Sequence, residues 1–358
     1  MPTLTGMKPD GFYDRNSSLQ QVTMQAVIGW ATEAITSMML PDEAQPIVAA
    51  DFGCSEGRNS IAAMGHVVEA LRTRRNSQPV YVMHCDLPSN NFNQLFRSLY
   101  DPTQVTYAQS RGRRSPQVVP LACAGSFFEP MLAPRSVSIA MSFLAVQWMD
   151  RVPDAPVPEF IGYMKGSPAA RDAYARQADR EMTRFLEARA FELAPGAKLL
   201  VIMPGSDGAW HCGDGIFDVL NDAALDLVTA ERLSRRRLED LVLPIYFRTL
   251  EEMMAPLTRA GSPVKGSFRI DRAETLEVPA PFEQALRHSG DVTAYAQTYT
   301  GFVRAFSEPV IAGALVGPGQ DQSIIDVLYE RVRERIIAAC QRYTMRNIQV
   351  AMLLTRES

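Results

Sequence analysis

Asp51 and Asp86 each end an apolar run, in "PIVAADFG" and in "PVYVMHCDLP", and Gly53 and Gly57 follow the first of them. A short apolar run bounded by turn residues reads as a buried strand. An open parallel sheet binds its ligands beyond the carboxyl ends of its strands, close to the point where the strand order reverses. A carboxylate there faces a ligand, and a glycine-bearing turn lets the backbone approach it with no side chain between. The helix that starts near Asn59 directs its free N–H groups to the same place.

Gly53 and Gly57 are separated by three residues, so the pattern is not G-x-G-x-x-G. The pyrophosphate cradle is missing, which argues against NAD or FAD and a nicotinamide oxidoreductase. An acid at the end of strand one suits a cation, and Asp86 can accept hydrogen bonds from both hydroxyls of a ribose. S-adenosylmethionine has these features: an ammonium, a sulfonium and a nucleoside. One aspartate alone also caps turns. It is the pair of acids, together with the glycines, that points to a ligand.

The elements that must carry these residues alternate through the first half of the chain. Strands "PIVAADFG", "PVYVMHCDLP", "QVVPLACAGSFF", "RSVSIAMSFLAVQW" and "GAKLLVIMPG" are interleaved with helical patterns such as "SIAAMGHVVEALRTRR" and "NFNQLFRSLY". A short helical turn is expected between strands three and four, and a long polar helix before strand five. This alternation predicts a parallel sheet with helices on both faces. "SFRIDRAETLEV" and "NIQVAMLLTRE" add two strands, for seven in all, but the helices before the last strand exceed what one crossover needs. The surplus reads as a helical cap embedded in an α/β core. The expected boundaries are 1–150, 191–205 and 262–358 for the core, and 151–190 with 206–261 for the cap, helped by 280–318.

Composition narrows the function. The formal charge of -4 is spread without a basic block, and the arginine clusters "RTRRN" and "RGRRSP" are short, so nucleic acid is not expected as a partner. No apolar run reaches the length of a membrane span, and the N-terminus lacks the pattern of a secretory signal. Five cysteines without C-x-x-C spacing fit a reducing cytoplasm better than disulfides or zinc, and four scattered histidines make a histidine metal centre unexpected.

Four ordered segments resemble the salicylate, benzoate and jasmonate carboxyl methyltransferases known as SABATH enzymes. They are "MKPDGFYDRNSSLQQV", "DFGCSEGRN", "DLPSNNFNQLFRSL" and "GSFFEPMLAPRSVSIAMSFLAVQWMDRVP". The third is very close to the family's D-L-P-x-N-D-F-N-x-L-F-x-S-L and is the most specific. The resemblance implies a Rossmann-like class I methyltransferase core with a mostly parallel seven-stranded sheet and a helical cap. It implies a homodimer that uses S-adenosylmethionine to methylate small acids. Ser17, Asp51, Cys54, Asn59, Asp86, Leu87, Ser126 and Phe127 fall on cofactor positions, Gly53 belongs to the same loop, and Tyr13 adds a contact beside it. Gln20 and Trp148 match the pair that hydrogen-bonds the substrate carboxylate. Lys8 matches the lysine of an N-terminal segment that closes over the site.

A carboxylate is already a nucleophile at neutral pH, so its methylation needs orientation and not a general base. Neutral donors such as the Gln20 amide and the Trp148 indole orient it without quenching its charge.

Departures from the family pattern concern the acceptor. "MSFLAVQW" makes this wall more apolar through Phe143, Leu144 and Val146, while Gln147 adds an amide beside Trp148. Phe217, Tyr246 and Phe302 are expected pocket walls. Val242 stands where some members have a metal-ligating asparagine, so no metal is expected. The expected acceptor is a small, largely apolar aromatic, indolic or terpenoid acid. N-methylation of a xanthine-like heterocycle, and cofactor binding without turnover, remain as alternatives.

Overall fold

The apolar runs of the chain become the strands of one seven-stranded sheet in a computed structural model. The structure describes residues 6–9, 11–104, 106–108, 118–155, 157, 161–316 and 323–358. The cluster "RGRRSP" and the first residues of "DQSIIDVLYERV" lie outside these.

Two helices, α1 (Phe12–Arg15) and α2 (Ser18–Ile35), precede the first strand. The classical α/β run follows as β1 (Ile47–Phe52), α3 (Arg58–Arg74), β2 (Val80–Asp86), α4 (Phe92–Leu99), β3 (Val118–Ala124) and β4 (Val137–Phe143). Helix α5 (Pro168–Glu192) leads directly into β5 (Leu193–Pro204). Helices α6 (Asp214–Thr229), α7 (Arg235–Glu239) and α8 (Leu250–Thr258) come before β6 (Phe268–Glu277). The chain ends with α9 (Pro281–Ser289), α10 (Val292–Leu315), α11 (Ser323–Ala338) and β7 (Ile348–Arg356).

The strand order is β3-β2-β1-β4-β5-β7-β6, with β7 antiparallel to both neighbours and the other pairs parallel. The order reverses between β1 and β4, so the switch point lies between their carboxyl ends. β4 is buried along nearly its whole length, Ser138 and Ser142 included, as expected of a central strand covered by helices on both faces. Helices α2 and α3 pack on one face of the sheet, and α5 and α8 on the other. The arginines of "RTRRN" close the end of α3: Arg72 donates to the Gln78 carbonyl at 2.6 Å and Arg74 to the Met38 carbonyl at 2.8 Å.

A third apolar cluster, beyond the carboxyl ends of the strands, joins α6, α10 and α11 with Trp148, Val157, Ile161 and the Leu243–Phe247 segment. This is the cap, and two expected boundaries shift. The second half of α5 belongs to the sheet layer, because Met182, Phe185 and Leu186 pack with β4 and β5 residues. Helix α11 belongs to the cap instead of the core, because Ile325, Leu328 and Val332 are buried in the cap cluster. Between β3 and β4 the chain makes turns and no helix.

Candidate active site

The turn that follows β1 is shaped by contacts only glycine allows. Gly53 has φ 99° and a Cβ there would lie 2.3 Å from the Ala145 methyl; Gly57 has φ 107° and its Cβ would meet Leu95 at 2.3 Å. The glycines therefore let the β1 turn press against the segment after β4 and against α4. Ser55 (φ 51°) and Leu144 (φ 52°) adopt left-handed backbone without being glycine, and both line the cavities formed here. Such strain clusters where a site is over-determined by its surroundings.

Asp51 and Asp86 end the neighbouring strands β1 and β2. Asp86 is pinned by two backbone donors: Ser55 N–H to one oxygen and Leu87 N–H to the other, each at 2.7 Å. Each oxygen keeps a lone pair for a ligand hydroxyl. Burial pushes the Asp86 carboxyl up, and these two N–H groups hold it back. Asp51 is different. Its Oδ1 is buried with no hydrogen-bond partner among the described residues. Burial pushes its carboxyl up to about 7, the Ser60 hydroxyl opposes this, and the charge of Asp86 adds to it. Ser60 is itself fixed by the buried His84 ring at 2.8 Å. A buried, half-satisfied carboxylate is poised for a cation.

Three adjoining cavities meet at the switch point. The first, about 660 Å³, contains Gly53, Asp86, Leu87, Asn90, Ser126 and Phe127. The second, about 390 Å³, contains Asp51, Cys54, Arg58 and Asn59. The third, about 610 Å³, reaches under the cap past Phe217, Phe247, Phe302 and Phe306. Tyr13 and Leu144 line all three. Gln20 lines the second and third, and Trp148 the first and third.

Buried ion groups hold the walls. Arg189 on α5 pairs with Glu192 at 2.7 Å, lies 3.6 Å over the Phe52 ring and donates to the Phe127 carbonyl at 2.9 Å. Glu192 accepts from Leu132 N–H at 2.9 Å, so this pair fixes the loop carrying Ser126 and Phe127. Arg248 donates to the Val146 carbonyl at 3.0 Å and the Ala178 carbonyl at 2.7 Å. Tyr246 N–H to the Gln147 carbonyl (2.9 Å) and Met149 N–H to the Pro244 carbonyl (2.7 Å) zip the cap segment to the chain after β4. Ile245, Phe247 and Trp148 are thereby placed on one wall.

The N-terminal segment straps across the open side. Gly11 N–H donates to Glu56 at 3.1 Å and Arg58 to the Asp14 carbonyl at 2.7 Å, which ties it to the β1 turn. Lys8 N–H donates to the Ala305 carbonyl at 3.0 Å, and its ammonium pairs with Glu308, which ties it to α10. Burial pushes the Tyr13 phenol far up, so it stays a neutral group.

Of the residues singled out from the sequence, Asp51, Cys54, Asn59, Gly53, Asp86, Leu87, Ser126, Phe127 and Tyr13 line the first two cavities. Gln20, Trp148, Gln147, Leu144, Phe217 and Phe302 line the third. Three do not line any of them. Ser17 is buried at the start of α2, where its hydroxyl donates to the Asp14 carbonyl at 3.1 Å. Lys8 turns to Glu308, while its neighbour Met7 faces the cavity. Tyr246 stacks on Tyr163 at 4.7 Å and donates to Glu252 at 2.7 Å, so Ile245 and Phe247 take the wall instead.

Sequence reading missed Phe306, Met345, Cys212, Asn347 and Gln349 in the third cavity. Phe306 lies one turn from Phe302, a spacing that shares a helix face. Asn347 and Gln349, two apart where β7 begins, break an otherwise apolar strand pattern.

Residues 5–357 match the family of SAM dependent carboxyl methyltransferases. Among curated relatives, gibberellic acid methyltransferase 2 of Arabidopsis thaliana is 25% identical over 93% of this chain and 88% of its own length. Probable caffeine synthase 2 of Camellia sinensis is 26% identical over 91% of this chain and 89% of its own. A solved loganic acid methyltransferase with SAH shares the fold at a TM-score of 0.82 and 23% identity, covering 99% of both chains. With the match running almost from end to end, the chain belongs to the S-adenosylmethionine-dependent carboxyl methyltransferases, the SABATH family.

Proposed function

We propose that this protein esterifies the carboxylate of a small, largely apolar acid with the methyl group of S-adenosylmethionine. The observation that carries the reading is the position of Gln20 and Trp148. Each lines the acceptor cavity and also one of the two cavities that hold the strand-end aspartates. They stand on the seam where donor and acceptor must meet.

The donor cavities fit this cofactor. The unpartnered Asp51 oxygen suits its ammonium, Asp86 with two pinned oxygens suits its ribose hydroxyls, and Phe127 and Leu87 offer apolar surface to its base. When bound, S-adenosylmethionine supplies an electrophilic methyl on a sulfonium. The chain's own part is positional. No charged side chain lines the acceptor cavity among the described residues, so an acid's carboxylate is oriented there by Gln20 and Trp148 without a tight ion pair. It arrives ionised at neutral pH and gives up no proton. The strap over Tyr13 and Met7 and the cap aromatics exclude water, which strengthens the remaining polar contacts.

The heterocycle reading draws on Gln147, whose buried side-chain oxygen has no partner among the described residues, and on the caffeine synthases among the relatives. A ring N–H must lose a proton, however, and no carboxylate or imidazole lines this cavity among the described residues to take it. That favours the acid.

Incubation with methyl-labelled cofactor and a panel of aromatic, indolic and terpenoid acids tests the reading. Label in base-labile esters is expected. Label stable to mild base, with xanthines as the better acceptors, would overturn it in favour of N-methylation. Tight cofactor binding without turnover on any acid would leave the third reading, a binding protein. We also read the chain as a cytoplasmic homodimer without a bound metal; all five cysteines are free, and sedimentation at micromolar concentration checks the dimer.

A further inference from the structure

Besides Gln20, Gln147 and Trp148, the largely apolar lining of the acceptor cavity carries a further polar patch, and that patch is built. Asn347 donates to the Thr23 hydroxyl at 3.1 Å. Gln349 donates through Nε2 to Asn347 Oδ1 at 2.7 Å. The Cys212 thiol lies 3.6 Å from the same oxygen and 3.7 Å from the Gln349 nitrogen. Burial pushes this thiol up to about 12, so it remains a neutral S–H donor. Every member is nine-tenths or more buried, and Gln349 is fully so.

The network has a direction. Asn347 spends its N–H on Thr23, which leaves Oδ1 to receive the Gln349 N–H. The Gln349 amide is thus held with its nitrogen inward, and its Oε1 is left over. That oxygen is buried, has no hydrogen-bond partner among the described residues, and belongs to a side chain lining the cavity. A buried carbonyl oxygen without a donor is a costly arrangement for a fold to keep. The next two same-face neighbours of Gln349 on β7, Ala351 and Leu353, pack in the apolar cluster of α2 and α3, so a polar side chain here is a local exception.

We infer that Gln349 reads a hydrogen-bond donor on the substrate: the acid carries a hydroxyl or N–H group that donates to Gln349 Oε1 while its carboxylate is held by Gln20 and Trp148. The inference rests on the carboxyl-methylation reading and adds the substrate class to it. The distances allow a small molecule. Gln20 and Thr23 are one turn apart on α2, so the patch anchored on Thr23 lies about one to two helical turns from the carboxylate-orienting amide. Gln349 also pairs with Pro204 at the carboxyl end of β5, which sets it at the ligand-binding edge of the sheet. Discrimination is expected to be strong, because an analogue lacking the donor leaves the amide oxygen desolvated and unpaired.

The experiment uses the full chain and pairs of acids that differ only in the donor: hydroxybenzoates against benzoate, indole-3-acetate against its N-methyl form, and an aliphatic hydroxy acid against its deoxy and keto forms. In the wild type, kcat/KM for the donor-bearing acid is expected to exceed that of its partner by roughly 5- to 100-fold in at least one pair. Gln349→Met keeps the side-chain length and removes the acceptor; it should erase or invert that preference. S-adenosylhomocysteine affinity should be unchanged in the variant, which verifies the fold. Equal use of both members of every pair by the wild type overturns the inference, as does a preference that survives Gln349→Met. Preference for a keto acid over its hydroxy form overturns it too, since the amide would then be presenting its N–H. If no acid is esterified by the wild type, the carboxyl-methylation reading fails instead, and the two failures are distinct.

Discussion

Replacing Asp51 with asparagine should make the ligand-free protein more stable above neutral pH and at the same time weaken its grip on the cofactor. The Asp51 carboxyl is held at about 7 in the fold against an ordinary 3.8, chiefly by burial. The folded state therefore binds its proton more tightly than the unfolded chain does, and stability falls as pH rises from about 3.8 to about 7. The full penalty above that window is on the order of 4 kcal/mol. Asparagine removes the charge but still buries a polar amide, so a net gain of about 1–3 kcal/mol at pH 8 is expected. At pH 5 the folded carboxyl is mostly protonated while the unfolded one is still ionised, so about 2.6 kcal/mol of the penalty is relieved between pH 8 and pH 5. In denaturant unfolding the variant's advantage should shrink by that amount and vanish or reverse. Asp14, pushed up to about 6, titrates in both proteins and drops out of the comparison. Asp86, whose charge faces Asp51, gains from the loss of that charge and adds to the variant's stability at high pH.

Ligand binding runs with the opposite sign. An ammonium is attracted only to the ionised carboxylate, so affinity for S-adenosylhomocysteine should fall roughly fivefold from pH 7 to pH 6 and about tenfold more by pH 5. Calorimetry at these pH values, in buffers of different ionisation enthalpy, should also detect a proton released on binding. Asp51→Asn should bind more weakly at pH 7 and lose most of the pH dependence. Wild-type affinity that is flat from pH 5 to 7, or a variant that binds as tightly as wild type, would refute the assignment of the ammonium to Asp51.

Other changes separate architecture from chemistry. Gly53→Ala forces a methyl to within 2.3 Å of the Ala145 methyl at a φ of 99°; a loss of about 2–4 kcal/mol in denaturant unfolding is expected, with weaker cofactor binding as a consequence. Gln20→Ala should lower kcat/KM for the acid roughly 10- to 100-fold, the loss of a hydrogen bond to a charged group, while S-adenosylhomocysteine affinity stays within about twofold. Equal loss of both would point to a general disturbance of α2. Tyr246→Phe removes only the hydrogen bond to Glu252 and keeps the stack on Tyr163, so stability should drop by about 1 kcal/mol with acid preference unchanged. A changed preference would mean that this side chain reaches the acceptor after all.

The donor half of the site was legible because its parts are contiguous in sequence. β1 and its turn, β2 and its aspartate, and the Gly125–Phe128 loop each bring their ligand-facing residues within a few positions of a strand end. Strand ends at a switch point have one place to point. Even so, the glycines of "DFGCSEG" prove to do more than admit a ligand. They let the turn touch Ala145 and Leu95, contacts between segments far apart in sequence that no spacing rule reveals.

The acceptor half is assembled across the chain, from α2, the segment after β4, α6, the Leu243–Phe247 segment, α10 and the start of β7. An amphipathic pattern tells which face of a helix is buried but not against what, which is why α11 was expected in the core and lies in the cap. At Tyr246 the reading was wrong by one residue. Where an extended segment has period two, one step exchanges wall for back, so Ile245 and Phe247 face the cavity and Tyr246 does not. The same period, applied to "NIQV", would have set Asn347 and Gln349 on one side and asked what two amides were doing in a buried strand. The answer needs Thr23, more than three hundred residues earlier, which accepts the Asn347 N–H and anchors the pair. Substrate choice in this fold therefore rests on residues that only the packed cap and sheet edge bring together. A chain can keep the donor motifs nearly intact while a single strand position such as Gln349 resets which acid is accepted.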